Sequence, residues 1–277
     1  MLQLSLSCSA AAASLRCGRI SALKITPLPP DLLPRLFLQD TRFKDLAAPL
    51  RSTLKMYTPP MFKVDRATSL AFAEARGFGM ACAFDGRKPI ASLLPFYLGH
   101  ARDGTPSAFF HLARGNPLIK LADGTASWLL AVTGADAYVS ADWYVSPEQV
   151  PTWLYQAVHL TGPVRTLSDE ELAVQVDTLS AKFENWLAPK QPWTSAKMTA
   201  PRLQALRKAI VGLTMTVVEV EGSFKLNQHK SDADFAAVAA ALASRPDTGS
   251  QQIAGLMRQM RQQVFSGEAG KLEGSVP

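Results

Sequence analysis

From residue 56 onward, hydrophobic and polar residues alternate in short runs that are separated by Gly, Pro, Asn and Asp. This alternation predicts short β-strands joined by tight turns. The predicted strands cover residues 79–84, 89–98, 107–112, 127–134, 137–140 and 213–220. Asp-Gly pairs at 85–86 and 103–104 mark hairpin turns between the first three strands. Strands in hairpin order favour an antiparallel barrel over a parallel α/β sheet.

Hydrophobic positions spaced three or four apart predict helices over residues 67–76, 168–186, 201–211, 231–244 and 252–264. The first helix ends at Gly77, a residue typical of helix C-termini. The second begins with Ser168 and Glu171, which have the spacing of a capping box. The last is rich in glutamine and is expected to lie at the periphery. The whole pattern predicts an α+β fold, mainly antiparallel β, with helices around a barrel.

The sequence VPTWLYQAVHLT, residues 150–161, combines the features of a core strand with those of a binding site. On a strand, one face would carry the rings of Trp153, Tyr155 and His159. The other face would carry Leu154, Val158 and Leu160. Neither face is charged, so we expect both to be buried, in the middle of a barrel or at a subunit contact. A bulge near Gly162 is expected to bend this strand.

Charge is concentrated at the N-terminus. Residues 1–55 hold 8 Lys/Arg and 3 Asp/Glu, a net charge of +5, whereas residues 56–277 carry only +1. Because residues 56–277 are nearly neutral, the net charge gives no support for direct binding to nucleic acid. No hydrophobic run reaches the roughly 18 residues of a membrane-spanning helix. The three cysteines lack C-x-x-C spacing and indicate neither a zinc site nor a disulfide framework.

Residues 1–55 contain Ser, Ala and Arg and no acidic residue before Asp31. This composition is typical of an organellar transit segment. An alternative is that translation starts at Met56, which would favour a cytoplasmic protein over a plastid or mitochondrial one. A regulatory extension is a third, less favoured interpretation. In each case the segment is expected to lie outside the fold, with residues 26–34 in a loop.

Five stretches of the chain, in one order, resemble the PaiB family of FMN-binding negative transcriptional regulators. They are MYTPPMF at 56–62, HLARGNPLIK at 111–120, AYVSADWY at 137–144, VPTWLYQAVHLTGPVRTL at 150–167 and IVGLTMTVVEVEGSFKLNQHKSDAD at 210–234. The resemblance covers about residues 56–242. It implies an FMN-binding split barrel with C-terminal helices, assembled as a homodimer with flavin at the subunit contact. The expected division is a domain over 56–246 and a C-terminal helix and tail over 247–277.

The loop HLARGNP suits the phosphate of flavin mononucleotide. Arg114 offers a planar guanidinium, and Asn116 with Pro117 begins a helix whose N–H groups attract anions. Lys120 lies one turn further on. The alternative is structural: Arg114 is a surface arginine in a turn, and Asn116 is only a helix cap.

Aromatic residues are candidates to bind the flavin ring, namely Tyr138, Trp153 and Tyr155. Their alternative role is to fill the barrel core or a dimer contact. Lys225 and Gln228, after the last predicted strand, could reach the ligand from its far end or could belong to a loop before the next helix. His159 is either a flavin neighbour or a structural histidine, and with His111 it offers two nitrogens for a haem iron.

Three positions depart from the family pattern. Asp136 stands where family members typically have histidine, Leu154 where they have asparagine, and Ile119 where they have tryptophan. Each change removes a group that could line a ligand pocket, so we expect the flavin affinity to be weakened or lost. The fold is expected to survive.

The sequence favours a flavin-binding regulatory protein of PaiB type that acts indirectly on gene expression, because no basic recognition helix is present. The alternatives are a flavin-dependent oxidoreductase, resembling pyridoxamine-phosphate oxidases, and a dimer without ligand. The sequence lacks nucleotide-binding and hydrolase motifs such as G-x-S-x-G. It leaves open whether the protein is an enzyme.

Overall fold

The computed structural model describes residues 55–101 and 104–269. Nine strands form one antiparallel sheet: β1 Lys63–Val64, β2 Phe78–Phe84, β3 Pro89–Pro95, β4 Tyr97–His100, β5 Pro106–Ala113, β6 Asp123–Val139, β7 Thr152–Thr166, β8 Ile210–Thr216 and β9 Glu219–Lys225. Six helices surround it: α1 Arg66–Arg76, α2 Asp169–Asn185, α3 Ala200–Lys208, α4 Asp232–Ala243, α5 Thr248–Met260 and α6 Gln262–Ala269. The predicted N-terminal extension, residues 1–55, lies outside the described residues except for its last residue, and so does the loop predicted at 26–34.

The sheet curls into a split barrel, so the prediction of an α+β, mainly antiparallel fold is confirmed. Its strand order is β3-β2-β6-β7-β8-β5-β4, and β9 pairs with both β7 and β1. Strand β7 is central because it pairs with β6 along one edge and with β9 and then β8 along the other. Its backbone hydrogen bonds therefore connect the two halves of the sheet.

The buried faces of β6 and β7 contribute to two separate hydrophobic cores. The first fills the barrel and includes Trp128, Val158 and Leu160. The second lies between the sheet and helices α4 and α5, and Leu154 packs into it. Ile253, Ala254 and Met257 of α5 are also buried in the second core. The expectation of a peripheral last helix is therefore wrong, because these residues share one face of α5 at helical spacing.

The outer face of β7 is open in the single chain. Trp153 is 55% exposed, and Tyr155 and His159 are half-buried. The prediction of two buried faces is therefore wrong for the chain alone. A single barrel therefore does not cover both faces of β7, and burial of its outer face at a subunit contact stays a prediction.

Several predicted strand boundaries differ from the structure. The strands predicted over 127–134 and 137–140 are one strand, β6, and the strand predicted over 89–98 is divided into β3 and β4. The strand predicted over 213–220 is in fact the end of β8 and the start of β9, because Val217 and Val218 form the crossing between them. Val217 N–H donates to Pro106 O, and Val218 N–H donates to Thr161 O.

The register shifts between β6 and β7 fall at two places, between Asp123 and Ser127, opposite Arg165 and Pro163, and between Thr133 and Asp136. The first lies beside Gly162, where a bulge was predicted, but the extra residues are in β6 and not in β7. We call the second the β6 bulge.

Gly162 has a different role, at the point where β7 changes partner from β9 to β8. A Cβ atom at this position would lie 1.7 Å from Thr216 O, which is far inside van der Waals contact. Only glycine permits the β8–β9 crossing to approach β7 this closely.

We therefore expect Gly162→Ala to lower the free energy of unfolding by about 3 kcal/mol or more, because backbone must move to admit the methyl group. Gly255→Ala is the control. It has no atom within 4 Å of the new Cβ and lies in α5, so we expect a gain of about 0.5–1 kcal/mol. Urea unfolding measures both, and equal stability of the two variants would contradict the close approach.

His111 of β5 is half-buried under α2, where its Nδ1 lies 3.4 Å from Gln175 Nε2. Burial lowers the pKa of His111, and the contact with Gln175 offsets this in part. A histidine with a lowered pKa binds fewer protons in the folded than in the unfolded state. Protonation below the usual histidine pKa of about 6.5 therefore favours unfolding.

We expect the stability of the protein to fall as the pH decreases from 7.5 to 5.5, and His111→Gln to reduce this slope. Burial also lowers the pKa values of His159 and His229, so the variant will keep part of the dependence. Urea midpoints at the two pH values test this. A slope identical in the variant and the parent would show that His111 takes no part.

Candidate functional site

Aromatic side chains stand side by side on the outer face of β6 and β7. Tyr138 pairs in register with Trp153, and their ring centroids lie 5.9 Å apart at 66°. Tyr155 is two residues further along β7 on the same face. We call Tyr138, Trp153 and Tyr155 the aromatic ribbon. The ribbon brings together, on two paired strands, all three residues that the sequence predicted to bind the flavin ring.

The next row of the sheet adds charged groups to the ribbon. Tyr155 is flanked by Asp136 on β6 and Lys225 on β9. Lys225 Nζ donates to Thr152 Oγ1 at 2.6 Å. Two rows away, His159 lies between Ala131 and Glu221. Burial lowers the pKa of His159, and the Glu221 carboxylate opposes that shift, so the ring is favoured in its neutral form.

A cleft of about 470 Å³ opens beside the ribbon. Its lining combines two ribbon residues, Tyr138 and Trp153, with residues at the start of α5, and the full set is Asp136, Ala137, Tyr138, Trp143, Trp153, Arg245, Asp247 and Ser250. Gly249 allows this approach, because a Cβ there would lie 2.5 Å from Asp136 O. Sequence reasoning missed the contribution of Arg245, Asp247 and Ser250, which are about 90 residues away from Trp153 in the chain.

The cleft suits an aromatic ring better than a phosphate. Ser250 N–H donates to Asp247 at 2.8 Å and lowers the pKa of that carboxyl, so Asp247 remains ionised. Arg245 Nε lies 3.6 Å from a carboxylate oxygen of Asp247, so the two opposite charges offset each other. Asp136 adds a second carboxylate to the lining. A phosphate group would be repelled here, whereas the exposed indole and phenol rings offer a stacking surface.

The predicted phosphate loop is separate from this cleft. Arg114 Nε donates to Lys208 O at 2.6 Å, and its Nη2 donates to Ile210 O at 2.9 Å. These bonds tie β5 to the end of α3 and use part of the guanidinium. Arg114 lines another cleft, of about 340 Å³, together with Arg207 and Lys208, two cations that the sequence analysis did not select.

Asn116 is a helix cap, as the structural alternative proposed. Its side chain accepts from Leu118 N–H and donates to Ser92 Oγ of β3. The helix it begins is a single 3-10 turn of five residues, Pro117–Leu121. Lys120 is exposed and, among the described residues, has neither an ion pair nor a side-chain hydrogen bond. Of this loop, Lys120 is the cation most available to a ligand.

Gln228 belongs to a turn after β9. Its Oε1 accepts from Leu226 N–H at 2.7 Å, and its Nε2 donates to Phe224 O at 2.6 Å. The neighbouring Asn227 is buried, adopts a left-handed conformation and contacts the Tyr144 hydroxyl. These contacts satisfy both groups within the chain. A role for Gln228 in ligand binding stays a prediction.

The departures from the family pattern fall in different environments. Leu154 is fully buried in the second core, and Ile119 packs against the first. Neither side chain lies on the outer face of the ribbon. Only Asp136 lies there, in register with Tyr155. The change that bears on the cleft is therefore the carboxylate at Asp136.

The described residues show no metal site and no membrane span. Within residues 55–101 and 104–269, no group of three or more His, Cys, Asp and Glu side chains could hold a metal ion. His111 lies on β5 and contacts α2, whereas His159 lies on β7 in register with Ala131 and Glu221.

In the same part of the chain, no helix combines the length and hydrophobicity needed to cross a membrane.

Comparisons with known proteins identify proteins to which this chain is similar. The chain is 32% identical to "Protease synthase and sporulation protein PAI 2" of Bacillus subtilis over 203 residues, which is 73% of this chain and 96% of that protein. An uncharacterized protein of Emericella nidulans, AN0679, is 24% identical over 160 residues, covering 53% of this chain and 62% of that protein.

A solved structure, the FAD and heme binding protein from Mycobacterium smegmatis, aligns with a TM-score of 0.44 at 18% identity. The alignment covers 62% of this chain and 78% of that one. The family model described as "Putative FMN-binding domain" matches residues 56–219, which include β1 to β8 and the whole ribbon. The chain therefore belongs to this family, the PaiB family of split-barrel proteins.

Proposed function

We propose that this protein is a flavin-binding regulatory protein that functions as a homodimer, with the flavin ring against the aromatic ribbon. The observation that carries the proposal is a ribbon of three neighbouring aromatic residues on one sheet face, of which Tyr138 and Trp153 are exposed and Tyr155 is half-buried. FMN is the flavin that the family description names. The relative from Bacillus subtilis, named for protease synthesis and sporulation, supports a regulatory role over a metabolic one.

The outer side of β3, β2, β6 and β7 is a largely apolar surface, in which Asp136 and His159 are polar members. We call it the apolar sheet face, and its large exposed members are Phe78, Met80, Phe84, Leu93, Tyr138 and Trp153. Met80 is in register with Leu93 and with Ala131, so these side chains are neighbours across the strands. Exposed apolar surfaces of this extent are typical of interfaces. A second copy of the chain is the partner that the family resemblance implies.

A two-fold contact would also explain why the ring and phosphate candidates are separated in one chain. Asn116 anchors the phosphate loop to β3, at the edge of the sheet. The ribbon is on β7, three strands away, or roughly 14 Å at the usual strand spacing. Pairing of two such faces can bring the loop of one subunit to the ribbon of the other. In this arrangement Lys120 would hold the phosphate.

Bound flavin would supply redox or light-absorbing chemistry, while the residues of the chain would bind and orient it. The ribbon would cover one face of the ring and exclude water. Neutral His159 and the ammonium group of Lys225 would flank the ring as hydrogen-bond donors. The near-neutral charge of residues 56–277 supports an indirect effect on gene expression rather than direct DNA contact.

The dimer is tested at Leu93, which is 67% exposed on the apolar sheet face. We expect Leu93→Lys to convert the dimer to a monomer of about 30.0 kDa, because a buried, unpaired ammonium opposes association. Val174→Lys on α2 is the matched control, since Val174 is 66% exposed outside this face. Light scattering gives both masses. A dimer that survives Leu93→Lys unchanged would contradict this interface.

The phosphate role of Lys120 is tested by comparing FMN with riboflavin, which has the same ring and no phosphate. We expect Lys120→Gln to weaken FMN binding at least about tenfold, equivalent to about 1.4 kcal/mol, and to leave riboflavin binding unchanged. Lys88→Gln, at an exposed lysine in the β2–β3 turn, is the control. Quenching of flavin fluorescence measures each affinity. Equal losses for both flavins would exclude a phosphate contact, and absence of binding by the parent protein would contradict the proposed function.

A further inference from the structure

A second cleft, of about 580 Å³, lies behind the ribbon, on the buried side of β7. Its walls come from α1, the β6 bulge and α5, through Phe72, Arg76, Gly134, Gln156, Gln252 and Gln259. The volume is within the range of small-molecule sites in proteins. Because side chains alternate along a strand, Gln156 points away from the face that carries Tyr155.

Gln156 is the unusual residue of this cleft. It is only 8% exposed and stands between Leu154 of the second core and Val158 of the first. Buried polar side chains almost always have hydrogen-bond partners. Within the described parts of the chain, none is found for the side-chain amide of Gln156, which faces the cleft. The amide of Gln156 is not one of the fully enclosed side-chain groups without a partner in the described residues, so it is open to the cleft, where water or a ligand can hydrogen-bond to it.

The β6 bulge shapes the floor of the cleft around this amide. Gln156 Oε1 lies 3.0 Å from the position that a Cβ would take at Gly134, so a larger residue there would displace it. Arg76 Nε donates to Thr133 O at 3.1 Å, which fixes the guanidinium beside the bulge. The remaining nitrogens of Arg76 make no hydrogen bond to other described residues. A guanidinium and an amide with free donors thus flank the same glycine.

The chemistry of the lining indicates the class of ligand. One cation and three glutamine amides face the cleft, and no Asp or Glu side chain lines it. The ring of Phe72 and the side chain of Leu256 supply apolar walls. Guanidinium and amide donors together suit a carboxylate, and the apolar walls suit a flat hydrocarbon body. We propose that this cleft binds a small aromatic carboxylate, with its charged group between Arg76 and Gln156.

Such a ligand would contact the strand that carries the ribbon, from the opposite side. Gln156 follows Tyr155 in the sequence. Helix α5 lines both clefts, with Ser250 at the first cleft and Gln252 at the second. The site is distinct from the proposed flavin site, and it provides a place where a metabolite could act on a regulatory protein. Its test requires no flavin, so its failure would leave the proposed function intact.

Benzoate is the probe, and benzamide is its uncharged counterpart. We expect benzoate added to the full chain to shift the amide resonances of Gly134, Gln156 and Gly255, and benzamide to bind at least about tenfold more weakly. Gly255→Leu should abolish these shifts, because open space surrounds a Cβ at Gly255 and the new side chain would fill the cleft. Gln251→Leu, at an exposed position of α5 outside the cleft, should bind benzoate as the parent does.

Gln156→Met gives an independent test, since methionine has a similar shape and lacks the amide. We expect this variant to fold, with an unfolding temperature close to that of the parent because its shape is similar, and to lose benzoate binding. The proposal is overturned if benzoate causes no shifts in the parent protein. It is equally overturned if Gln156→Met and Gly255→Leu bind benzoate with unchanged affinity.

Discussion

The pairing of β7 along both of its edges is the constraint on which the rest of the structure depends. Strand β6 occupies one edge, and β9 and β8 share the other. Such a strand cannot rotate without breaking two ladders of hydrogen bonds, so its alternating side chains are fixed to opposite faces. The inner face builds two cores, and the outer face presents the ribbon. Gly162 makes this arrangement possible by admitting the β8–β9 crossing.

The alternation of residues was sufficient to predict most of the fold. It identified β7, its two faces and the antiparallel order, because period-two patterns are local. It did not identify the turn at Val217 and Val218, since a continuous β-branched run contains no residue that signals a turn. It also underestimated α5, whose spacing of Ile253 and Met257 indicated a buried face although glutamines dominate its composition.

The candidate site was predicted less completely than the fold. The ribbon residues were visible as aromatics in two predicted strands, and the structure places Tyr138 of β6 beside Trp153 of β7. Arg245, Asp247 and Ser250 were not visible, because only the packing of α5 against the sheet brings them to the cleft. The reverse holds for Arg114: its pattern suggested phosphate, yet two backbone carbonyls hold its guanidinium. Long-range contacts of this kind leave no local signal in a single sequence.

The outer face of the sheet around β7 stays open in the single chain. A face that bears Trp153 and Leu93 at more than half exposure is unfavourable in water and favours a partner. The inner face of β7 is covered by the two hydrophobic cores except at Gln156, which lies between them and lines the second cleft. The same strand therefore faces two clefts of different chemistry, one aromatic and acidic and the other amide-lined with a single cation.

Sedimentation equilibrium of the purified protein with FMN tests the central claim most directly. If the outer face of β7 is a subunit contact that holds flavin, the mass will be about 60 kDa, twice that of the 30.0 kDa chain, with one flavin for each chain. A 30.0 kDa species at all concentrations, with or without FMN, would contradict the account.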